Sequence, residues 1–364
     1  MTNTPDDAPP GALDVPGIRA AVERCLDEFL TTKEQTAARH RLPPQAARSL
    51  RSFIESGGKR LRPLLCALGW YAAGGHGPPP RPVLRAASAL EMFHAFALIH
   101  DDIMDRSETR RGRPTLHRAL AHQHADQAPD AAAEHLGASA AILIGDLALC
   151  WSDELLHTAG LPADRLHAVR HLSDLMREEA MYGQYLDLLT PTTPAHDLRS
   201  PLTVIRYKTA KYTCERPLHI GAALAGAGPP VFDACTAFAI PLGEAFQLRD
   251  DLLGVFGEPE RTGKSRLDDL REGKRTVLMA LAHRRANPAQ SRTLHELVGR
   301  PGLTDHDADR IRTVLIETGA RDEVENMIRH RHDRARQALD RAPFPPPAVH
   351  ALRHIAHRAA HRTV

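Results

Sequence analysis

Two short runs of aspartate, far apart in the chain, are the residues best equipped for chemistry. Asp101-Asp102-Ile103-Met104-Asp105 closes an apolar stretch over residues 86–99, and Asp250-Asp251 lies within a second one at 244–256. On a helix Asp101 and Asp105 share a face, where like charges repel by roughly a few tenths of a kcal/mol. Such carboxylates call for a counter-charge. Magnesium fits: it takes oxygen ligands, keeps several waters and bridges one or two carboxylates to substrate phosphates. Cations stand close by in sequence. Thr109-Arg110-Arg111-Gly112-Arg113-Pro114 follows the first run, and Thr262-Gly263-Lys264 and Arg271-Glu272-Gly273-Lys274-Arg275-Thr276 follow the second. Upstream, Ser56-Gly57-Gly58-Lys59-Arg60-Leu61-Arg62-Pro63 sets two glycines before three cations at an expected helix start, a pattern suited to an anion. Carboxylate, divalent cation and guanidinium side by side describe a diphosphate site.

The elements that must position these groups read as helices almost throughout. Ile18, Val22, Cys25, Leu26, Phe29 and Leu30 have amphipathic helical spacing. Long helices are expected at 62–73, 83–105, 138–156, 165–189, 203–224, 232–256, 276–286 and 305–339, the last broken near Gly319. Loops are expected at 74–82, 108–114, 122–137, 190–201, 226–230 and 257–273. The expected architecture is all-α: a single large helical bundle over residues 17–364, preceded by a disordered tail over residues 1–16.

Composition narrows the function. With 364 residues, a net charge of +2 and 4% aromatics, the chain lacks both the charge and the stacking surface of a nucleic-acid binder. Cys25, Cys66, Cys150, Cys214 and Cys235 are scattered and odd in number, as expected of free thiols in a reducing compartment. The acidic, proline-containing first residues do not resemble a signal peptide, and no stretch holds about 20 uninterrupted apolar residues for a transmembrane segment. A cytoplasmic location is the expectation.

Taken together, GGKRLRP, DDIMD, RRGRPTLH, GQYLDL at 183–188, YKTAKYT at 207–213, FQLRDDLLG and TGKS…REGKRT resemble, in order, the motif blocks of the trans-isoprenyl diphosphate synthases, the polyprenyl synthetase family. The resemblance covers residues 50–285 and implies an isoprenoid synthase-like fold around a deep central cavity. It implies a homodimer, three magnesium ions, and the two aspartate runs facing each other across the active site. By matching position, Gly58, Lys59, Arg62, His94 and Arg111 bind isopentenyl diphosphate. Asp101, Asp105 and Asp250 bind metal. Arg110, Lys208, Lys264 and Lys274 bind the allylic diphosphate, which would be dimethylallyl, geranyl or farnesyl. Thr209 and Gln247 line the reacting carbons, and Lys208, Thr209 and Gln247 form the catalytic group.

Phe96 and Ala97, five and four residues before Asp101, are the expected determinants of chain length. An aromatic at the fifth position alone resembles geranylgeranyl (C20) producers, with farnesyl diphosphate the second choice. One departure stands out. Gly254 occupies the place where the family pattern has the third aspartate of the second run. A terpene cyclase or a non-catalytic partner subunit on the same fold are the competing readings. Lys59, Arg62 and His94 speak against the first, and the three aspartates of DDIMD against the second. His100 reads either as a hydrogen-bond partner of the first cluster or as a packed core residue. The histidines at 350, 354, 357 and 361 read as one side of a terminal helix.

Overall fold

The computed structural model describes residues 12–125, 129–257 and 266–360. These are helical nearly throughout. Among them the only strands are the two-residue β1, Thr109–Arg110, and β2, Arg113–Pro114, paired antiparallel. The first helix, α1 (Val15–Arg39), opens with Pro16 in its first turn and with Asp14 accepting from the Gly17 amide at 2.9 Å. Proline there lacks only an amide that the helix start would leave unbonded.

The described residues form two compact units. The first consists of Asp14–Ala67 and His76–His167. It holds α1, α2 (Gln45–Glu55), the start of α3 (Leu61–Ala72), α4 (Arg81–Met104), α5 (Leu116–His124) and α6 (Asp130–His157). Helix α4 is its centre and packs chiefly against α6. Val83, Ala86, Ala87, Leu90, Met92, Phe93 and Ile99 are all buried, on every side of α4. A helix surrounded by neighbours can be apolar nearly all round, which explains its largely apolar sequence. Both α4 and α6 have the length and apolarity of a membrane span, but 61% of the apolar window in α4 is buried within the protein, against 33% in α6.

The second unit comprises Leu68–Gly75 and the residues from Ala168 onward. Most of α7 (Ala163–Leu189) lies here, followed by the short α8 (Arg199–Val204), a π-helical stretch (Ile205–Glu215), α9 (Arg216–Ala225) and α10 (Pro229–Phe256). After a single turn at Asp268–Arg271 come α11 (Val277–Arg285), α12 (Pro288–Leu297), α13 (Asp305–Glu317), α14 (Ala320–Arg341) and α15 (Pro346–Ala360). Helix α10 packs mainly on α14 and on the π-helical stretch. Leu248, Leu252 and Val255 of α10 share a core with Leu278, Ile311, Leu315, Val324 and Ile328.

Three local expectations change. The loop expected over 122–137 shrinks, because α5 runs to His124 and α6 starts at Asp130, an acid at a helix N-terminus followed by three alanines. Helix α1 starts two residues before the expected boundary at 17. The helix expected over 203–224 is not uniform: its middle widens into π turns. Pro217 has no amide to donate to Thr213, and Gly243 and Gly183 let the backbones of α10 and α7 close on the widened turns at Ala210 and Lys208. The expected break at Gly319 is present, with φ at 66°.

Candidate active site

In the first unit the glycine-cation run at 56–62 meets the arginine loop that follows the first aspartate run. The loop before α3 turns through Gly57 and Gly58, with φ of 102° and 148°. A side chain at Gly58 would meet Nη2 of Arg111 2.9 Å from its Cβ, so glycine leaves the space that Arg111 enters. Arg111 then donates to the Gly57 carbonyl and, at 3.4 Å, to Ser56 Oγ. Arg60 and Arg111 themselves carry positive φ, 48° and 55°. Backbone held in that region by its surroundings is characteristic of binding sites.

The three cations at 59–62 are not equivalent. Arg60 is buried, pairs with buried Glu91 at 2.6 Å and donates to the Ile54 carbonyl at 2.7 Å. It is a strut. Lys59 is exposed and Arg62 half-buried. His94, on α4, feels Arg62, Arg110, Arg111 and Arg60, and burial followed by these four cations holds its imidazole well below the usual histidine range. His94 is therefore neutral at neutral pH and can meet a phosphate oxygen through an N–H without adding charge.

The aspartates end the same helix. Asp101 and Asp105 are half-buried and Asp102 is 1% exposed. Arg110, on β1, grips Asp102 with Nε at 2.8 and 2.9 Å and Nη2 at 2.6 Å, and reaches Asp101 at 3.5 Å. Burial pushes the Asp102 carboxyl up, and Arg110 opposes the push. The structure thus commits Nε and Nη2 of Arg110 to the aspartates. His100 turns to α6, its Nε2 3.2 Å from the Ile142 carbonyl and its ring against Gly145. That favours the packed reading. Phe96 is half-buried, its ring tilted against Phe93 and edge-on to His100 with centroids 5.3 and 4.7 Å away, and Ala97 beside it is half-buried.

The second unit carries the other cluster. Thr209 Oγ1 donates to Gln247 Oε1 at 2.8 Å, and Gln247 Nε2 donates to Asp251 Oδ1 at 2.8 Å. The π-helical stretch is thereby tied to the aspartates of α10. Lys208 pairs with Asp187 of α7 at 2.7 Å. Behind it, Lys211 and Arg216 bind Glu179 at 2.8 and 2.7 Å, fixing the widened turns. Asp251 is pushed up to about 7, first by burial, then by the charges of Asp269 and Asp250, with Gln247 opposing. Lys274 pairs with Asp269 at 3.3 Å and Glu272 at 3.1 Å. Lys264 lies outside the described residues.

Each cluster offers oxygen donors only, which suits a hard divalent cation. Among the described residues no three histidine, cysteine or carboxylate side chains close into a metal cage. Magnesium takes few protein ligands and completes its shell with water and phosphate oxygen. Asp187, partner of Lys208, stands in the GQYLDL block without a role assigned from sequence, and Asp269, partner of Lys274, was not singled out there. The pair Asp268-Asp269, just ahead of the glycine and lysine at 273–274, was the available signal for the second.

The chain matches the polyprenyl synthetase family over residues 43–315. It is 36% identical over 291 residues to the geranylfarnesyl diphosphate synthase of Aeropyrum pernix, covering 80% of this chain and 86% of that protein. It is 34% identical to the (2E,6E)-farnesyl diphosphate synthase of Mycobacterium bovis, covering 72% and 67%. Among solved structures, the geranylgeranyl pyrophosphate synthase of Corynebacterium glutamicum, complexed with isoprenyl diphosphate and magnesium, superposes with a TM-score of 0.91 at 41% identity, over 96% of this chain and 100% of that one.

Proposed function

The chain belongs to the polyprenyl synthetase family, and on that premise we propose that it condenses isopentenyl diphosphate head-to-tail with allylic diphosphates, giving geranylgeranyl diphosphate. The observation that carries this reading is that Arg111 is drawn onto the Gly57–Gly58 turn ahead of Arg62, beside the helix that bears His94 and ends in Asp101 and Asp105. An enzyme that only ionises an allylic diphosphate has no use for a second anion site. Lys59, Arg62, His94, Arg111 and the Gly58 backbone hold isopentenyl diphosphate. Lys208, Lys264 and Lys274, with the uncommitted part of Arg110, hold the allylic diphosphate.

Asp101, Asp105 and Asp250 would hold magnesium, three ions in all, which when bound neutralises the charge that develops on the departing diphosphate. The lysines and arginines stabilise the same charge as the allylic C–O bond breaks. Thr209 and Gln247, locked to one another and to Asp251, present fixed dipoles to the allylic cation. The isopentenyl double bond attacks that cation, and a proton is lost to the released diphosphate. Apolar walls keep out the water that would quench the cation.

The relatives named here make C15, C20 and C25 products, so chain length is read from Phe96, with Ala97 beside it. Purified protein with magnesium, labelled isopentenyl diphosphate and separate C5, C10 and C15 primers should yield C20. Phe96→Ala should yield longer products. Failure to elongate any primer overturns the reading, and an unchanged Phe96→Ala product spectrum overturns the chain-length assignment.

The working form is a homodimer in the cytoplasm. Leu136, Ile142 and Leu143 of α6 are exposed by 45%, 44% and 65%, an apolar surface that a second copy would cover. Sedimentation velocity should report twice the chain mass; a monomer at micromolar concentration contradicts this.

A further inference from the structure

The two aspartate runs differ in their acids at one place. Asp101–Asp105 ends in a carboxylate, whereas Gly254, at the same spacing after Asp250, has no side chain. The space beside Gly254 is nevertheless filled. A Cβ built on Gly254 would collide with Oδ2 of Asp269, and Asp269 Cγ would lie 2.9 Å from it. Asp269 comes from the turn Asp268–Arg271, which packs on α10. Its carboxylate is 21% exposed and accepts from Lys274 Nζ at 3.3 Å, while its backbone carbonyl accepts from the Lys274 amide at 3.1 Å.

We infer that Asp269 supplies the third carboxylate of the second aspartate cluster, entering through the opening that glycine at 254 leaves. A side chain at 254 would force the Asp269 carboxylate to shift. As a positioning residue it orients water in the cation's shell, since magnesium keeps several waters and carboxylates in its outer shell hold them. The same carboxylate holds Lys274, so the acidic cluster and the cation expected to meet the allylic diphosphate are set by one group. The inference rests on the proposed function, because it assigns Asp269 to the metal of that reaction.

The test is Mn²⁺ binding to the full chain in the presence of inorganic diphosphate, followed by electron paramagnetic resonance, with the magnesium dependence of elongation measured alongside. Asp269→Asn should raise the half-saturating Mn²⁺ concentration by about tenfold, the size typical of losing an outer-shell ligand partner. Gly254→Asp should also weaken binding, because its carboxylate collides with Asp269. The double variant Gly254→Asp/Asp269→Ala, with the new carboxylate in the vacated space, should recover most of that loss. A residue that merely anchors Lys274 would leave the Mn²⁺ isotherm of Asp269→Asn on that of the wild type, and that result overturns the inference. So does a double variant no better than Asp269→Ala alone. If Gly254→Asp fails to fold, Asp269→Asn, nearly isosteric, still decides. Wild-type protein that elongates no primer refutes the proposed function; an elongating wild type with an unmoved Asp269→Asn isotherm refutes this inference alone.

Discussion

The ends of α4 and α10 carry similar aspartate runs in opposite electrostatic settings. At α4 the acids are outnumbered: Arg110 binds Asp102, and Arg60, Arg62 and Arg111 press on His94 from nearby. At α10 the acids crowd one another, with a neutral amide on Asp251 and Lys274 drawn to Asp269 and Glu272. Burial moves His94 down in one unit and Asp251 up in the other, and in each case neighbouring like charges add to the shift. The acids at the end of α4 stand among arginines, whereas those at the end of α10 share Lys274 and otherwise face one another.

Removing one aspartate from each end should therefore have opposite consequences in metal-free protein. Asp102→Asn leaves Arg110 without its buried counter-charge and should cost about 3 kcal/mol of unfolding free energy. Asp251→Asn keeps an oxygen for Gln247, removes a crowded charge, and should be neutral or stabilising by about 1 kcal/mol at pH 8. Urea unfolding of both variants decides; equal losses would erase the contrast. The pH dependence sharpens it. The folded value of Asp251, about 7, exceeds its unfolded value, so its penalty grows as pH rises towards 7, and the advantage of Asp251→Asn should vanish near pH 4.

His94 gives the smaller effect with the other sign. Its folded value lies below the unfolded one, so stability is lost as pH falls below about 6.5. His94→Gln should shrink that loss without removing it, because His117 and His219 are lowered too, chiefly by burial. An unchanged slope between pH 7 and pH 5 would show that His94 is not held neutral.

Much of this was legible in the sequence because its signals are local. Apolar periodicity marks α4 and α10, and each aspartate run stands in an unbroken helical pattern. The glycines at 57–58 announce a turn. What escaped is set by neighbours distant in sequence. The π turns around Lys208 follow from Gly183, Gly243 and Pro217 together, none of which distinguishes a π turn from an α turn on its own. Asp269 matters through its approach to Gly254, fifteen residues away, which no spacing rule encodes. The family resemblance gave roles to Lys59 and Arg62 but none to Arg60, and the burial of Glu91 reveals Arg60 as a strut.

The central claim is that both aspartate runs serve one metal-dependent condensation. The direct measurement is turnover of labelled isopentenyl diphosphate with farnesyl diphosphate and saturating magnesium, for wild type, Asp101→Ala and Asp250→Ala. Each substitution should lower turnover by on the order of a thousandfold while the variant remains folded. A folded variant that retains wild-type turnover would contradict the claim for its aspartate run.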